Sequence, residues 1–366
     1  MNFHKILKLL TRYFLLSLVL LVLLVSFLTI SYRAYLQDKV MQATAIRSPN
    51  GIELLEAVDL NGVKQWILIR GCDVSNPVLL HLHGGPGAAD ISIARHFDGE
   101  LVKHFVVVHW DQRGAGKSFN PDIPRETMNR EQFVSDIKSL SELLKKRLGV
   151  PKIYLVGHSW GSEIGMLSAA RYPELFHAFV GVSQVVEYDE AERISYDFVT
   201  KEAAQTGNQR ALQELRAIAP PYKSRDELLM QRKWLEHFGG QSHSDLRFKD
   251  MLKIGLSSPD YSLVDGLKFF RGGDFSPSCL WEEGKDTDLF VQAPQVDIPV
   301  YFFVGKYDYN TPGALVERYV DALIAPRGKH IVFFENSGHM IPYESPQEYA
   351  DALINRVLAE THSDNR

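Results

Sequence analysis

Short continuous apolar runs alternate with amphipathic segments along most of the chain. The runs have the length and composition of strands buried in a parallel sheet, and they are PVLLHLHG (77–84), FVVVHWD (105–111) and KIYLVGH (152–158). Between the second and third runs, residues 130–149 carry apolar side chains at helical spacing and end in Gly149, a suitable C-terminal cap. This alternation of strands and helices predicts a doubly wound α/β sheet.

A β-hairpin precedes this alternation of strands and helices, and a helical insertion interrupts it. Alternating runs on both sides of Asn61-Gly62 predict a β-hairpin with a type I′ turn. From about residue 184 to 294 the strand pattern is replaced by charged, helix-forming sequence, which predicts a helical insertion. Strands resume at 298–305 and 330–338, separated by a helix for which Thr311 and Pro312 suit the N-cap and first positions. We therefore divide residues 51–366 into a first core section (51–183), a helical cap (184–294) and a second core section (295–366).

The N-terminal segment has a different pattern. Residues 13–32 contain no charge, and about 20 apolar residues suffice to cross a bilayer as a helix. The run is longer than the core of a secretory signal, and no small-residue cleavage site precedes Arg33. A buried hydrophobic helix is the alternative, but so long a run lacks a polar face. We predict a cytoplasmic tip and uncleaved signal anchor over 1–32, followed by a stalk over 33–50.

Composition and charge narrow the function classes. Lys5, Lys8 and Arg12 precede the apolar run, so the positive-inside tendency predicts a single-pass membrane protein with its globular part outside the cytoplasm. The chain of 366 residues has a net charge of −5, and this balance argues against nucleic acid as a partner. Cys72 and Cys279 are the two cysteines. A disulfide between them is permitted outside the cytoplasm, and two unpaired thiols are the alternative that we prefer.

A serine between two glycines follows the third apolar run. Gly157-His158-Ser159-Trp160-Gly161 fits G-x-S-x-G, the strand-to-helix turn that presents a nucleophilic serine. A serine needs a base to take its proton, an acid to orient that base, and donors for the oxyanion. Asp308 and His339 follow the two later strands in the order that this architecture requires, although either residue taken singly also suits an ordinary turn or loop.

A glycine-rich stretch after the first run is the candidate for the oxyanion site. The sequence LHLHGGPGAAD (80–90) would bring backbone N–H groups against the substrate oxygen. We predict that the amides of Gly85 and of Trp160, the residue after the serine, are the donors. An ordinary glycine-rich turn is the alternative.

Five motifs together resemble the α/β-hydrolases of the prolyl iminopeptidase type. They are HGGPG (83–87), WDQRGAGKS (110–118), GHSWG (157–161), GKYDYNTP (305–312) and SGHMIP (337–342). The resemblance implies an α/β-hydrolase fold with a helical cap, no metal or other cofactor, and often release of N-terminal proline from peptides. It also implies a triad of Ser159, Asp308 and His339. Asp111, Gln112 and Arg113 match the family only as a motif, and we predict that they form a structural loop near the site.

Substrate choice is predicted to reside in the cap, where the sequence departs from the family. The stretch GVSQVVEYDEAER (181–193) stands where the proline-releasing enzymes of the resemblance carry a G-I-F type sequence. Carboxylates that could hold a substrate amino group lie near both ends of the cap, and the candidates are Glu187, Glu190, Glu282 and Glu283. Trp281 is a candidate for an apolar wall. The alternative for each glutamate is a solvated helix face.

Three functions follow as hypotheses. The first is a serine aminopeptidase that releases N-terminal proline or small apolar residues through an acyl-enzyme. The second is the same machinery acting on an ester or amide without a free amine. The third is a noncatalytic, membrane-anchored binding protein, which would not require Ser159, Asp308 and His339 together. The expected partners are a peptide or small acyl substrate and the membrane; the oligomeric state is left open.

Overall fold

One eight-stranded sheet organises the computed structural model, which describes residues 3–362. The strands are β1 (Ile52–Leu60), β2 (Val63–Gly71), β3 (Val78–Leu82), β4 (Val106–Asp111), β5 (Ile153–His158), β6 (Phe176–Val182), β7 (Val300–Gly305) and β8 (Lys329–Phe334). Their order across the sheet is β1-β2-β4-β3-β5-β6-β7-β8. Strand β2 is antiparallel to β1 and β4, and the other neighbours are parallel. The predicted mostly parallel, doubly wound sheet is confirmed.

The first two strands form the predicted hairpin. Asn61 and Gly62 have φ values of 53° and 80°, and Leu60 pairs directly with Val63. Positive φ at both central residues is what a two-residue type I′ turn requires. The asparagine-glycine pair therefore sets the register of the antiparallel edge of the sheet.

Helices connect the strands and form the cap. Those of the core are α2 (Ile91–Phe97), α3 (Leu101–His104), α4 (Arg130–Leu148), α5 (Trp160–Arg171), α12 (Gly313–Ala322), α13 (Ile341–Glu344), α14 (Pro346–Ala352) and α15 (Ala359–His362). The cap, between β6 and β7, holds α6 (Tyr188–Gln205), α7 (Gln209–Arg216), α8 (Arg225–His237), α9 (Phe248–Leu256), α10 (Leu263–Gly284) and α11 (Leu289–Gln292). Short 3₁₀ turns lie at Gly116–Ser118, Arg125–Thr127 and Pro173–Leu175, and a π-helical turn at Leu353–Leu358.

The two faces of the sheet carry separate apolar clusters. Successive residues of β3 point to opposite faces of the sheet, since Leu80 belongs to one cluster and Leu79 to the other. Cys279 packs against the cluster of Leu80, whereas Cys72 packs against that of Leu79. The two cysteines are free thiols, in agreement with the preferred interpretation, because the sheet lies between them.

The N-terminal helix α1 (Phe3–Thr44) is long and apolar enough to cross a membrane. Its most apolar stretch is 0% buried against the rest of the protein. Most of the predicted stalk, residues 33–50, continues this helix, which ends at Thr44. Arg33 donates to the carbonyl of Leu256 (3.0 Å), the last residue of α9, and to that of Tyr261 (2.6 Å), just before α10. The last turns of α1 therefore lie against the cap.

Ion pairs hold the cap on the core. Arg95 makes two hydrogen bonds to the carboxylate of Asp260, at 2.5 and 2.8 Å, and Lys117 bonds Asp265 at 2.8 Å. Both cations are buried, with the cap carboxylates buried or half-buried beside them. Pairs shielded from water in this way are stronger than exposed ones, so they fix the position of α10 over the sheet.

Candidate active site

Ser159 lies on a sharp turn between β5 and α5. Its backbone has φ 53° and ψ −121°, a conformation that non-glycine residues rarely adopt. A Cβ at Gly157 would overlap the carbonyl of Gly161, and a Cβ at Gly161 would overlap the carbonyl of Leu82. Both glycines are therefore required for the turn that presents the serine at the carboxyl edge of the sheet.

The structure brings the predicted triad together at this edge. Asp308 follows β7 and His339 follows β8, so both residues lie at the same edge of the sheet as Ser159. His339 Nε2 lies 2.9 Å from Ser159 Oγ, and His339 Nδ1 lies 3.0 Å from Asp308 Oδ2. All three residues are buried. The arrangement has the geometry of a nucleophile, a base and the acid that orients the base.

Asp308 is held in its ionised form. Its Oδ1 accepts the amides of Asn310 (2.9 Å) and Thr311 (2.8 Å), and its Oδ2 accepts the Thr311 hydroxyl (2.7 Å). Burial alone would raise the pKa of Asp308, but the neighbouring His339 and the hydrogen bonds from His339 and Thr311 outweigh it and lower the pKa. Thr311 is therefore used by the carboxylate, and the predicted helix N-cap is wrong: α12 begins at Gly313 with Pro312 at the N-cap position.

The loop that carries His339 is tied to the core and to the cap. The His339 carbonyl accepts from His158 Nε2 (2.8 Å) and Ser183 Oγ (2.9 Å), and its amide donates to the Gln241 carbonyl (2.8 Å). Burial and the neighbouring His339 lower the pKa of His158 to about 3, so His158 is neutral and donates through Nε2. These bonds fix the backbone of the base rather than its ring.

Gly85 and Trp160, the predicted oxyanion donors, both lie near the serine. Trp160 is the first residue of α5, and Gly85 has φ 116° in the loop after β3. A Cβ at the adjacent Gly84 would lie 3.1 Å from the Ser159 Cβ, so this loop approaches the nucleophile closely. Within residues 3–362, neither the Gly85 nor the Trp160 amide donates to a protein acceptor. Both residues line a cavity together with Ser159, and their role as oxyanion donors stays a prediction.

The DQR motif supports this loop. Gln112 Nε2 donates to the His83 carbonyl (2.9 Å), and Gln112 Oε1 accepts from Trp160 Nε1 (3.1 Å). Arg113 is buried in a two-bond pair with Asp136, at 2.8 and 3.0 Å. The motif thus links the glycine-rich loop to the start of α5, which is the structural position that the sequence suggested.

A buried cluster of histidine and aspartate lies beneath the same loop. His109 donates from Nδ1 to Asp90 (3.0 Å) and from Nε2 to Asp98 (2.7 Å), and His81 Nδ1 lies 2.9 Å from Asp90. Burial opposes the charge on His109, but the two carboxylates outweigh it and raise its pKa well above the usual value. The raised pKa favours a charged His109 paired with Asp90 and Asp98, so the cluster acts as an ion-pair network.

Two cavities meet at Ser159. The first, of about 500 Å³, reaches into the cap between α6, α8 and α10, and we call it the cap cavity; its lining includes Glu187, Glu192, Arg232 and Trp281. The second, of about 550 Å³, runs along α9 and the start of α10, and we call it the apolar groove; its lining includes Phe248, Leu252, Leu256, Leu263 and Leu267. A substrate bound at Ser159 thus has room on two sides.

The predicted cap residues separate into two groups. Glu187 and Trp281 line the cap cavity. The Glu187 carboxylate accepts the amides of Asp189 (2.9 Å) and Glu190 (2.7 Å) and caps α6. The other three glutamates lie elsewhere. Glu190 pairs with Arg193 and Arg318, Glu282 is exposed beside Lys285, and Glu283 accepts the amide of Arg130 at 2.8 Å.

Several site residues were missed at the sequence level. Glu163 lines the cap cavity and pairs with Arg130 at 2.6 Å, and burial raises its pKa. Its position in the first turn of α5, four residues after Ser159, could have indicated it. Asn310 Nδ2, 3.0 Å from His339 Nε2, and Arg232, paired with Glu192, had no comparable sequence signal.

Comparison with known proteins identifies the family of this chain. A family model described as the alpha/beta hydrolase fold matches residues 77–346, which is most of the chain. The chain belongs to the α/β-hydrolase family. This hydrolase is 33% identical over 311 residues to the "Probable aminopeptidase YbaC" of Bacillus subtilis, covering 84% of this chain and 97% of that protein. It is 27% identical to the "Proline iminopeptidase" of Saccharolobus solfataricus, covering 80% and 87% of the two chains. The resemblance to the prolyl iminopeptidase type is confirmed.

Solved structures share the fold of this α/β-hydrolase. The proline iminopeptidase of Mycobacterium smegmatis superposes with a TM-score of 0.63 at 18% identity, covering 86% of this chain and all (100%) of that one. A protein described as a membrane phospholipase A, a bacterial virulence factor, superposes with a TM-score of 0.64 at 20% identity, covering 96% and 99%. At these identities the comparisons establish the fold alone.

Proposed function

We propose that this α/β-hydrolase is a serine hydrolase that cleaves an acyl bond through an acyl-enzyme on Ser159. The observation that carries the proposal is the continuous hydrogen-bonded chain from Ser159 through His339 to Asp308, at the meeting point of two cavities. A noncatalytic binding protein would need neither this chain nor the strained backbone at Ser159.

The proposed mechanism follows from the bonding of each group. Ser159 Oγ forms a bond to the substrate carbonyl carbon while its proton passes to His339 Nε2, and the amides of Gly85 and Trp160 bind the resulting oxyanion. The bond to the leaving alcohol or amine then breaks, and that group takes the proton from His339. Water next gives a proton to His339 and attacks the acyl carbon, releasing the acid and returning the proton to Ser159.

The first candidate substrate is a peptide with a free N-terminus, so that the chain is an aminopeptidase releasing proline or small apolar residues. Two observations support this candidate: the names of the aminopeptidase and proline iminopeptidase relatives, and the carboxylate of Glu187 in the cap cavity. An α-ammonium group bound there would be paired with a carboxylate in the cavity that contains the nucleophile.

The second candidate is an ester or amide without a free amine. It is favoured by the charge balance in the cap cavity, where Glu192 is paired with Arg232 and Glu163 with Arg130. Carboxylates already compensated by guanidinium groups attract an ammonium group weakly. The apolar groove, for its part, offers a surface for an acyl chain.

We further propose that α1 anchors the enzyme in a membrane as a single span, with the catalytic domain outside the cytoplasm. The complete exposure of its most apolar stretch supports this, because a helix buried in a soluble core would be covered by other elements. The cations before the apolar run support the orientation.

The test compares the wild type with Ser159→Ala on a proline arylamide, on its N-acylated form and on a short-chain aryl ester. Ser168→Ala is the matched control, because Ser168 is a buried serine of α5 whose hydroxyl donates to the Ile164 carbonyl of that helix. We expect Ser159→Ala to lose at least about 10³-fold in kcat on every substrate that the wild type cleaves. Undiminished turnover in Ser159→Ala would overturn the mechanism.

The same assay separates the two candidates. Loss of arylamide cleavage when the amine is acylated supports the aminopeptidase, and Ser159-dependent cleavage of the aryl ester alone supports the second candidate. If the folded wild type turns over none of the three substrates, the serine hydrolase proposal is contradicted for these acyl classes.

A further inference from the structure

The outer surface of the cap carries a concentrated apolar patch. Half of the large apolar side chains that are exposed outside α1 in residues 3–362 lie on α9 and the first half of α10. They are Phe248, Leu256, Leu263, Val264, Leu267 and Phe270, and we call this surface the α9/α10 face. Phe248 and Leu267 are each 67% exposed. A concentration of exposed apolar side chains on one surface marks a contact with another apolar phase or partner.

The position of α1 indicates what covers this face. The uncharged run ends at Tyr32, and the next residue, Arg33, bonds the carbonyls of Leu256 and Tyr261. Gln37, one helical turn further and thus roughly 6 Å along the axis, bonds the Ser258 carbonyl at 2.6 Å. The end of α9 and the start of α10 are therefore held within about one turn of the point where the apolar run of α1 ends.

The apolar groove opens on the same face. Five of the six residues of the α9/α10 face also line the groove, whose lining includes Arg33 at one place and Ser159 and His339 at another. Val264 is exposed on the face without lining the groove. A chain entering from the apolar phase beside α1 thus has a continuous apolar surface to follow toward the nucleophile.

Charge on α9 agrees with a location at a membrane surface. Lys249 and Lys253 are exposed on this helix among its apolar side chains, an arrangement typical of helices that lie in the lipid interface. Asp250 pairs with Lys253 at 3.3 Å, so α9 keeps one net positive charge.

We propose that the α9/α10 face lies in the bilayer interface and that the apolar groove receives the acyl chain of a membrane lipid ester. The inference rests on the serine hydrolase and the anchor proposed above, and it specifies the second candidate substrate. Ser159 Oγ bonds to the ester carbonyl carbon, the C–O bond to the lipid alcohol breaks, and that alcohol takes the proton held by His339. Water then releases the fatty acid from Ser159. The cap cavity, with its charged lining, holds the polar part of the lipid.

Docking is tested on the full chain in vesicles of phosphatidylcholine and phosphatidylglycerol. In a Ser159→Ala background with Cys72→Ser and Cys279→Ser, one new cysteine carries an environment-sensitive fluorophore, at position 264 or at position 291. Val264 and Val291 are the matched pair, 62% and 74% exposed, and Val291 lies outside the α9/α10 face. We expect nitroxide-labelled lipid to quench the probe at 264 and to leave the probe at 291 unquenched. Equal quenching at the two positions would overturn the docking.

The substrate is tested by comparing a long-chain phosphatidylcholine ester in vesicles with a short-chain soluble aryl ester. We expect Ser159-dependent cleavage of both by the wild type. Val264→Asp should lower cleavage of the vesicle ester at least fivefold and change that of the soluble ester less than twofold, with Val291→Asp changing neither. Cleavage of the soluble ester without the vesicle ester would overturn the lipid substrate and leave the serine hydrolase standing. Cleavage of neither ester would refute the proposed acyl hydrolysis and this inference with it.

Discussion

Replacing Asp308 with asparagine tests the roles inferred for the triad, because the surrounding hydrogen bonds dictate how the new amide must lie. Asp308 Oδ1 accepts two backbone amides, from Asn310 and Thr311. If the asparagine oxygen stays there, its NH₂ group faces His339 Nδ1. That nitrogen must then accept a hydrogen bond, so the imidazole proton moves to Nε2. His339 can no longer take the proton of Ser159.

The opposite orientation of the amide has a cost that the structure sets. It would place NH₂ against two backbone N–H groups and leave both buried donors unsatisfied, at about 1–3 kcal/mol each. The orientation with the active histidine tautomer is thus disfavoured by about 2–6 kcal/mol, or by a factor of about 30 to about 10⁴. The equivalent change in serine proteases lowers kcat by about 10⁴-fold. We expect Asp308→Asn to lose kcat within this range.

The assay is steady-state hydrolysis of the best substrate from the Ser159 comparison, with unfolding of the variant followed in parallel. The KM should stay within about threefold of wild type, since Asp308 lines neither cavity and the effect is on proton transfer. A folded variant that keeps more than about a third of the wild-type kcat would refute the tautomer argument. A loss confined to KM would refute it equally, because it would place Asp308 in substrate binding.

Two further predictions concern the supports of the site. Glu344 accepts the amides of Gly338 and Met340, both at 3.1 Å, and Glu344→Gln would replace one of these acceptor oxygens with an NH₂ donor. We expect the variant to lose about 1–3 kcal/mol of unfolding free energy, measured in urea, and to have a lower kcat. An unchanged kcat would contradict the positioning role. The raised pKa of His109 means that its stabilising charge is fully present below about pH 6.5 and is lost as the pH rises through the folded-state pKa. The unfolding free energy of the wild type should therefore fall as the pH rises above about 6.5. His109→Gln should be less stable than the wild type by about 3–5 kcal/mol at pH 6, and its stability should not show this pH dependence. The same pH dependence in both proteins would contradict a stabilising charge on His109.

The fold and the positions of the triad could be predicted because the signals are local. The parallel strands are short apolar runs, and each residue of the triad follows the end of one of them. Carboxyl ends of parallel strands meet at one edge of a sheet, so Ser159, Asp308 and His339 converge once the strand order is right. Thr311 shows the limit of local patterns. Threonine is a residue type that suits a helix N-cap, but the Thr311 hydroxyl donates to Asp308 instead. The position of Asp308 depends on the whole sheet, so the local sequence did not reveal this bond.

The cap carboxylates could not be assigned in the same way. Glu190 bonds Arg318, 128 residues away, and Glu192 bonds Arg232, 40 residues away on another helix. Whether a glutamate is free to bind a substrate depends on such partners. The charge of a side chain is visible in the sequence, whereas its compensation is a property of the packed helices.

By itself, the sequence determined the elements that depend on a few neighbouring residues. These are the apolar strands, the glycine-flanked serine turn and the uncharged N-terminal run, because backbone sterics and side-chain periodicity act over one or two turns of chain. The tertiary structure decided which acidic groups are neutralised, how the two cavities meet at Ser159, and that an exposed apolar face lies beside the end of α1. Burial, charge pairing and surface shape arise only when distant segments pack together, and no local pattern contains them.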